Sequence, residues 1–387
     1  MSMENPEERA WRAEFPITER LLYLNNCSLT PLHRRSEAAL AEYARTWSEL
    51  GGRAWFDHWL GVLEEVRAGF AHVLGADAEE IALEPAVSAA LVTAASTFDY
   101  ARRPKVVIAD IDFPTDGHTW LALASRGVEV EFVRSPDRIN VPLELFERAV
   151  DERTALVCTG HVYYTSGAIQ DVRGLAEICH RKGAALVVDA YQSIGALEFD
   201  VHDSGVDFLV GGTLKWLMGG PGMAFLYARK DRIAAARPTA LGWWAMENPF
   251  DFDVQHLDLA GNARRFEYGT PAIAAAYTAR AGLALLDEVG IATVRGRHMT
   301  LSQRLVDGAH EQGWTVRCPT DARRRTPIVT LEHPDPSVAV ASLRQNGVIC
   351  DYRPGLIRLS PHYFNTLGEM DRALGFLAQL RVAPAIV

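Results

Sequence analysis

The chain is poor in cysteine. It has five, Cys27, Cys158, Cys179, Cys318 and Cys350, and no two form a Cys-x-x-Cys pair. That excludes a disulfide framework and a clustered zinc site. No apolar run approaches the roughly 20 residues of a membrane-spanning helix, so no membrane partner is expected. Basic runs are missing except for Arg323-Arg324-Arg325, and the net charge is −10, which argues against nucleic acid as a partner. The opening residues Met1-Ser2-Met3-Glu4-Asn5-Pro6-Glu7-Glu8 are acidic and lack the basic and apolar regions of a secretory signal. A cytoplasmic location is the expectation. Repeats, low-complexity tracts, metal-ligand spacings and a glycine-rich nucleotide loop are also lacking, so neither a metal nor a nucleotide phosphate is expected. Apolar residues are plentiful. They make up 48% of 387 residues, enough for a large core and more than one domain.

The apolar residues fall in short β-rich runs at 106–110, 128–133, 155–159 and 185–189, with helical patterns between them at 115–125, 142–150 and 172–181. Such alternation predicts a mostly parallel, wound sheet, extended by runs ending at Val210 and Tyr227. Long helices are expected at 273–289 and 292–311. After Gly313 the pattern turns α+β, with strands at 314–317, 328–331 and 357–359 and helices at 337–345 and 368–380.

Two residues stand out by position. Asp189 closes the apolar run Ala185-Leu186-Val187-Val188, as at the end of a buried parallel strand that delivers a carboxylate to the ligand-binding edge of the sheet. Lys215 lies 215 − 189 = 26 positions on, in Gly211-Gly212-Thr213-Leu214-Lys215-Trp216-Leu217-Met218-Gly219-Gly220-Pro221-Gly222. A solvated lysine has no need of such apolar neighbours. A Schiff-base lysine does, because desolvation lowers the pKa of its amine. Strand-end aspartates also cap helices, and loop lysines also sit on surfaces. In this order and spacing the pair suits pyridoxal 5′-phosphate (PLP), which needs an amine and a carboxylate on its pyridinium nitrogen. Ser88 and Ala89, opening an apolar helix after the strand 81–83, offer the helix N-terminus that a phosphate needs.

Further segments carry a resemblance. They are Asp112-Phe113-Pro114-Thr115-Asp116, His161-Val162-Tyr163-Tyr164-Thr165-Ser166-Gly167 and Gly242-Trp243-Trp244. With them the chain resembles the fold-type I PLP enzymes of the class V aminotransferase group, and within it the kynureninases, from about Tyr23 to the last helix. The resemblance implies an α/β fold. A large PLP-binding domain over 31–271 would hold a mostly parallel seven-stranded sheet. An N-terminal segment, 1–30, would pack near the active site, and linking helices with a small α+β domain would fill 272–387.

It also implies roles. Lys215 would bond the cofactor and move the α-proton, and Asp189 would hold the ring nitrogen. Phe113 would stack on the ring, with Thr115 and Tyr164 beside it. Gln192 would reach the ring oxygen O3′, where kynureninases usually carry histidine. Thr213 falls where relatives place a phosphate-binding group. Thr270, in Tyr268-Gly269-Thr270-Pro271, would reach the phosphate of a second subunit, implying a homodimer with shared active sites. Arg358 would clamp the α-carboxylate, a task suited to the guanidinium fork. Asn25, Ser28, Trp243 and Trp244 would line the substrate site, although Ala245-Met246 follow where kynureninases have Gly-His. His161 reads as a core histidine. Cys350 reads as a buried thiol within a strand at 347–352. The expected activity is a kynureninase-like β-lyase acting on a bulky or aromatic-ketone amino acid. The alternatives are a class V aminotransferase and a cysteine desulfurase or C–S lyase.

Overall fold

In the computed structural model, which describes residues 6–382, a short strand β1 (Leu22–Tyr23) precedes a large sheet. The sheet comprises β2 (Ile81–Glu84), β3 (Lys105–Ala109), β4 (Glu129–Val133), β5 (Thr154–Gly160), β6 (Ala185–Asp189), β7 (Phe208–Gly212) and β8 (Ala224–Ala228). Its order is β2-β8-β7-β6-β5-β3-β4. β3 to β7 pair parallel, and β8 runs antiparallel to both β7 and β2. The strands are unbroken apolar runs because both faces are covered. Val107, Val157 and Leu186 enter one core, while Val106, Leu156 and Val187 enter the other. Only β4, at the edge, is mostly exposed.

This order places the site. From β3 the chain moves outward to β4, whereas β5, β6 and β7 stack on the other side of β3. The loops leaving β3 and β5 therefore diverge, and a crevice opens at the carboxyl ends of these strands.

The C-terminal part is α+β, as expected. It contains β9 (Val329–Glu332), β10 (Val348–Ile349), β11 (Asp351–Arg353) and β12 (Leu356–Leu359). The antiparallel order is β11-β12-β9, and β10 pairs instead with β1 of the N-terminal segment. Leu301, Leu331, Leu343, Leu359 and Met370 centre a separate core there. Two details differ from expectation. The strand expected at 314–317 is a single bridge from Val316 to Leu331, cut off by Pro319, which has no N–H to extend the ladder. The strand expected at 347–352 divides at Cys350, and its halves join different sheets.

Helix Ile273–Val289 joins the large core, packed on helices Arg34–Leu50 and Leu60–Leu74. It also crosses the back of the lysine loop. A Cβ at Gly282 would overlap the Leu217 carbonyl oxygen and lie 2.8 Å from the Gly219 nitrogen. Gly282→Ala should therefore pry helix and loop apart and cost about 1–3 kcal/mol, as overpacking does. Urea unfolding of the cofactor-free protein would read this as a lower midpoint. An unchanged midpoint would mean that the loop yields freely.

Candidate active site

Asp189 ends β6, opposite Gly160 of β5 and Val210 of β7, so the parallel register sets its carboxylate at the crevice. The Tyr191 N–H donates to its Oδ1 at 2.7 Å. Beyond β7 the chain makes a tight loop. The Thr213 N–H donates to the Met223 carbonyl, and the Thr213 carbonyl accepts from the Gly219 N–H. The Thr213 hydroxyl lies 2.8 Å from the Gly220 carbonyl and 3.1 Å from that of Met223. Met218 adopts a φ of 59° to complete the turn. Lys215 is held on this loop at 9% exposure, with Nζ 4.1 Å from the Tyr191 ring centroid. Burial pushes its pKa down to about 8 against the pull of Asp189, and Arg358 and Arg353 lower it further.

Two more carboxyls reach the cavity after β3, Asp112 from the loop and Asp116 from helix Pro114–Leu121. Asp112 accepts from the Gly160 and Ala109 N–H groups and from the Thr159 hydroxyl, yet burial and Asp189 push it up to about 7. Asp116 is fully buried and neither of its oxygens has a hydrogen-bond partner. Burial, with Asp189 and Asp112, holds its pKa well above the usual range. Burial raises Asp189 as well, while Lys215 and the Tyr191 N–H pull it back. Three neighbouring buried carboxyls, one of them without a donor, call for a cationic group among them. A protonated pyridine nitrogen against Asp189 is such a group.

The cavity measures about 400 Å³. Helix Val87–Ala95 starts at one end. The Ala89 and Ala90 N–H groups turn back to the Ala86 carbonyl, while Val87 and Ser88 line the cavity with first-turn N–H groups that no helical carbonyl can reach. Phe113 and Thr115 form one wall. The Phe113 centroid is 5.9 Å from the Lys215 Nζ, and the ring meets that of Tyr164 edge-on at 5.2 Å. Gln192 donates from Nε2 to the Cys27 carbonyl and accepts the Trp216 indole N–H on Oε1, which leaves one amide N–H for a ring oxygen. Ser28 and Arg358 also line the cavity.

The other expected residues stand elsewhere. Ala89 lies behind the lining, and Thr213 faces the inside of its own loop. Asn25 is one layer back, bridged through its backbone to Ser360. Thr270 lines a second cavity of about 100 Å³ with Glu84 and Tyr268. Trp243 lines a third, and Trp244 packs edge-on against it at 5.0 Å. His161 sits outside with its ring on Phe199, neutral because burial lowers its pKa to about 4. Sequence reasoning passed over Tyr191, Asp112, Cys27 and Arg353, all on the cavity wall. A usable signal existed for Arg353, which alternates with Asp351 on one strand.

The description of the class V aminotransferases matches residues 23–351. The chain belongs to the class V aminotransferase family. It is 36% identical to the uncharacterized aminotransferase YcbU of Bacillus subtilis, over 97% of this chain and 98% of that one. It is 29% identical to the kynureninase of Geobacillus thermodenitrificans, over 91% and 86%. The apo cysteine desulfurase from Thermococcus onnurineus NA1 superposes with a TM-score of 0.88 at 26% identity, covering 98% of each chain. The family's cofactor is PLP, and the residues present fit it. Lys215 would be the amine, Asp189 the ring-nitrogen acid, Val87 and Ser88 the phosphate end, and Phe113 and Tyr191 the aromatic neighbours. When bound, PLP supplies an electron sink for charge developing at Cα.

The lowered Lys215 amine has a direct consequence. It is protonated and inert below about pH 8 and free above it, whereas an ordinary lysine needs pH 10.5. In cofactor-free protein, acetylation of Lys215 should rise through about pH 8 and then level off, followed by peptide mass spectrometry. Acetylation of an unstructured lysine peptide should go on rising. Parallel profiles for Lys215 and the peptide would overturn the assignment.

Proposed function

We propose that this protein is a β-lyase of the kynureninase kind, a cytoplasmic homodimer that cleaves the side chain of a bulky or aromatic-ketone α-amino acid. One observation carries the proposal. The runs at 113–116 and 163–164, both of kynureninase character, lie around the one cavity that holds Lys215. The identity to kynureninases supports it. In this reading Arg358 binds the α-carboxylate, Lys215 takes the Cα proton, and Phe113 and Tyr164 flank the reacting group. Thiol chemistry is disfavoured. Cys350 is buried at the break between β10 and β11, and burial pushes its thiol up to about 12. Cys27 does line the cavity, but its backbone is pinned by the Ser360 hydroxyl and by Gln192 instead of riding an exposed loop. Aminotransfer is the second reading, favoured by the name of the 36% identical relative.

The assay follows the purified holoenzyme with L-kynurenine and 3-hydroxykynurenine. Stoichiometric alanine release without added keto acid is the expected result. If neither is cleaved and amino groups pass to a keto acid instead, the lyase reading falls and the transferase reading replaces it.

The homodimer rests on the residues that miss their own chain's cavity. Beside Trp243, Phe252 is 73% exposed, Val254 94% and Leu257 65%. A second copy would cover this apolar surface and bring Thr270 and Trp243 to its partner's cavity. Lys215→Ala and Thr270→Ala, each inactive alone, should then complement when mixed under subunit exchange. Recovery should approach about a quarter of wild-type activity, since half the dimers carry one complete site. No recovery, or a strictly monomeric holoenzyme, would rule out shared sites.

A further inference from the structure

Arg358 does not meet the cavity as a free cation. Its Nη2 donates to Asp351 Oδ2 at 2.7 Å and its Nη1 to the Tyr164 carbonyl at 2.8 Å, while its Nε is buried without a partner. Taken alone, Arg358 and Asp351 make a neutral pair, and a neutral pair attracts an anion weakly. Arg353 changes the sum. Its Nη1 donates to the same Asp351 Oδ2 at 2.8 Å, so two guanidiniums converge on one carboxylate oxygen. Against the upward push of burial, these two guanidiniums hold the Asp351 carboxyl below its ordinary value. Both arginines line the main cavity. The Arg353 guanidinium lies 5.7 Å from the Tyr164 ring centroid, so Tyr164 supports one arginine with its ring and the other with its carbonyl. Apart from Nη1, the nitrogens of Arg353 have no hydrogen-bond partner among the described residues, and its side chain keeps 25% exposure against 1% for Arg358. Two cations and one anion leave a single positive charge, which one carboxylate neutralises.

We propose that Arg353 is a second α-carboxylate-binding residue, standing at the outer edge of the site, and that Asp351 is the positioning residue that couples it to Arg358. The proposal rests on the reading of Arg358 as the carboxylate clamp. Arg353 keeps the pair cationic, and its unused nitrogens meet the incoming carboxylate before Arg358 does. Asp351 fixes the two planes relative to each other, which lowers the ordering cost of a two-guanidinium grip.

The test uses holoenzyme titrated with L-alanine and with L-alaninamide, followed by the absorbance of the bound cofactor. The two probes differ only in the carboxylate. Arg353→Gln should weaken L-alanine by roughly tenfold, the scale of a lost charge-assisted bond, and leave L-alaninamide unchanged. Arg353→Lys should fall between, and it carries the test if the glutamine variant fails to fold. Asp351→Asn should shift the same ratio, with Asp351→Glu restoring it. If alanine and alaninamide weaken alike, or neither weakens, Arg353 is structural and the proposal is wrong. Arg358→Lys runs alongside. If Arg358→Lys moves the ratio and the Arg353 variants do not, only this inference fails. If Arg358→Lys also leaves the ratio unchanged, the carboxylate end is elsewhere and the clamp assignment fails with it.

Discussion

An amine and a carboxylate held out of water at the ends of neighbouring parallel strands set the terms for the rest of this structure. Each group alone would resist burial by several kcal/mol, and neither would keep a useful protonation state. Together they moderate each other, because Asp189 opposes the lowering of Lys215 by burial and Lys215 opposes the raising of Asp189 by burial. Keeping water away needs a lid on every side. The tight loop from Thr213 to Met223, the close crossing at Gly282 and the segment around Cys27 supply it. The fold can be read as the means of enclosing two polar atoms within an apolar sheet.

The cavity they occupy is polarised. Three carboxyls, Asp112, Asp116 and Asp189, two guanidiniums, Arg353 and Arg358, and the N-terminus of a helix at Val87 and Ser88 all line it. A bound molecule is therefore oriented by charge before any shape fitting applies. A cationic ring, an anionic phosphate and an anionic carboxylate would each find a complementary charge there. The aromatic rings of Phe113, Tyr164 and Tyr191 fill the space between without adding net charge. They limit the solvent that would otherwise weaken these fields.

Asp189 and Lys215 were legible from sequence because each is tied to a single local element, a strand end and a glycine-bounded loop. Phe113, Thr115 and Tyr164 were legible only through the resemblance, and the loops after β3 and β5 bring them to the cavity. Thr213 was legible as a hydroxyl near the lysine but not as one committed to two carbonyls of its own turn. Trp243, Trp244 and Thr270 were marked by motif, yet their surroundings depend on contacts remote in sequence, and in this chain Trp243 and Thr270 line other cavities while Trp244 packs on Trp243. Asp112 and Arg353 acquire meaning only through the partners that tertiary structure brings, Gly160 for one and Asp351 with Tyr164 for the other. The split at Cys350 escaped notice because both halves read as β, and only the pairing of β10 with β1 separates them.

That pairing bears on how the protein is made. β1 lies beside β10, Asn25 bridges Ser360, and the Cys27 N–H is held by the Ser360 hydroxyl. Residues 22–27 and residues beyond position 347 thus complete each other across a loop that takes in most of the chain. On the ribosome the seven-stranded sheet has all its strands once Ala228 has emerged, yet the substrate end of its crevice stays open until Ser360 follows. A nascent or truncated chain would hold the lysine before it held the wall around it, with apolar surface bared in the interval. Synthesis from N- to C-terminus therefore delivers the lysine well before the residues that wall it in.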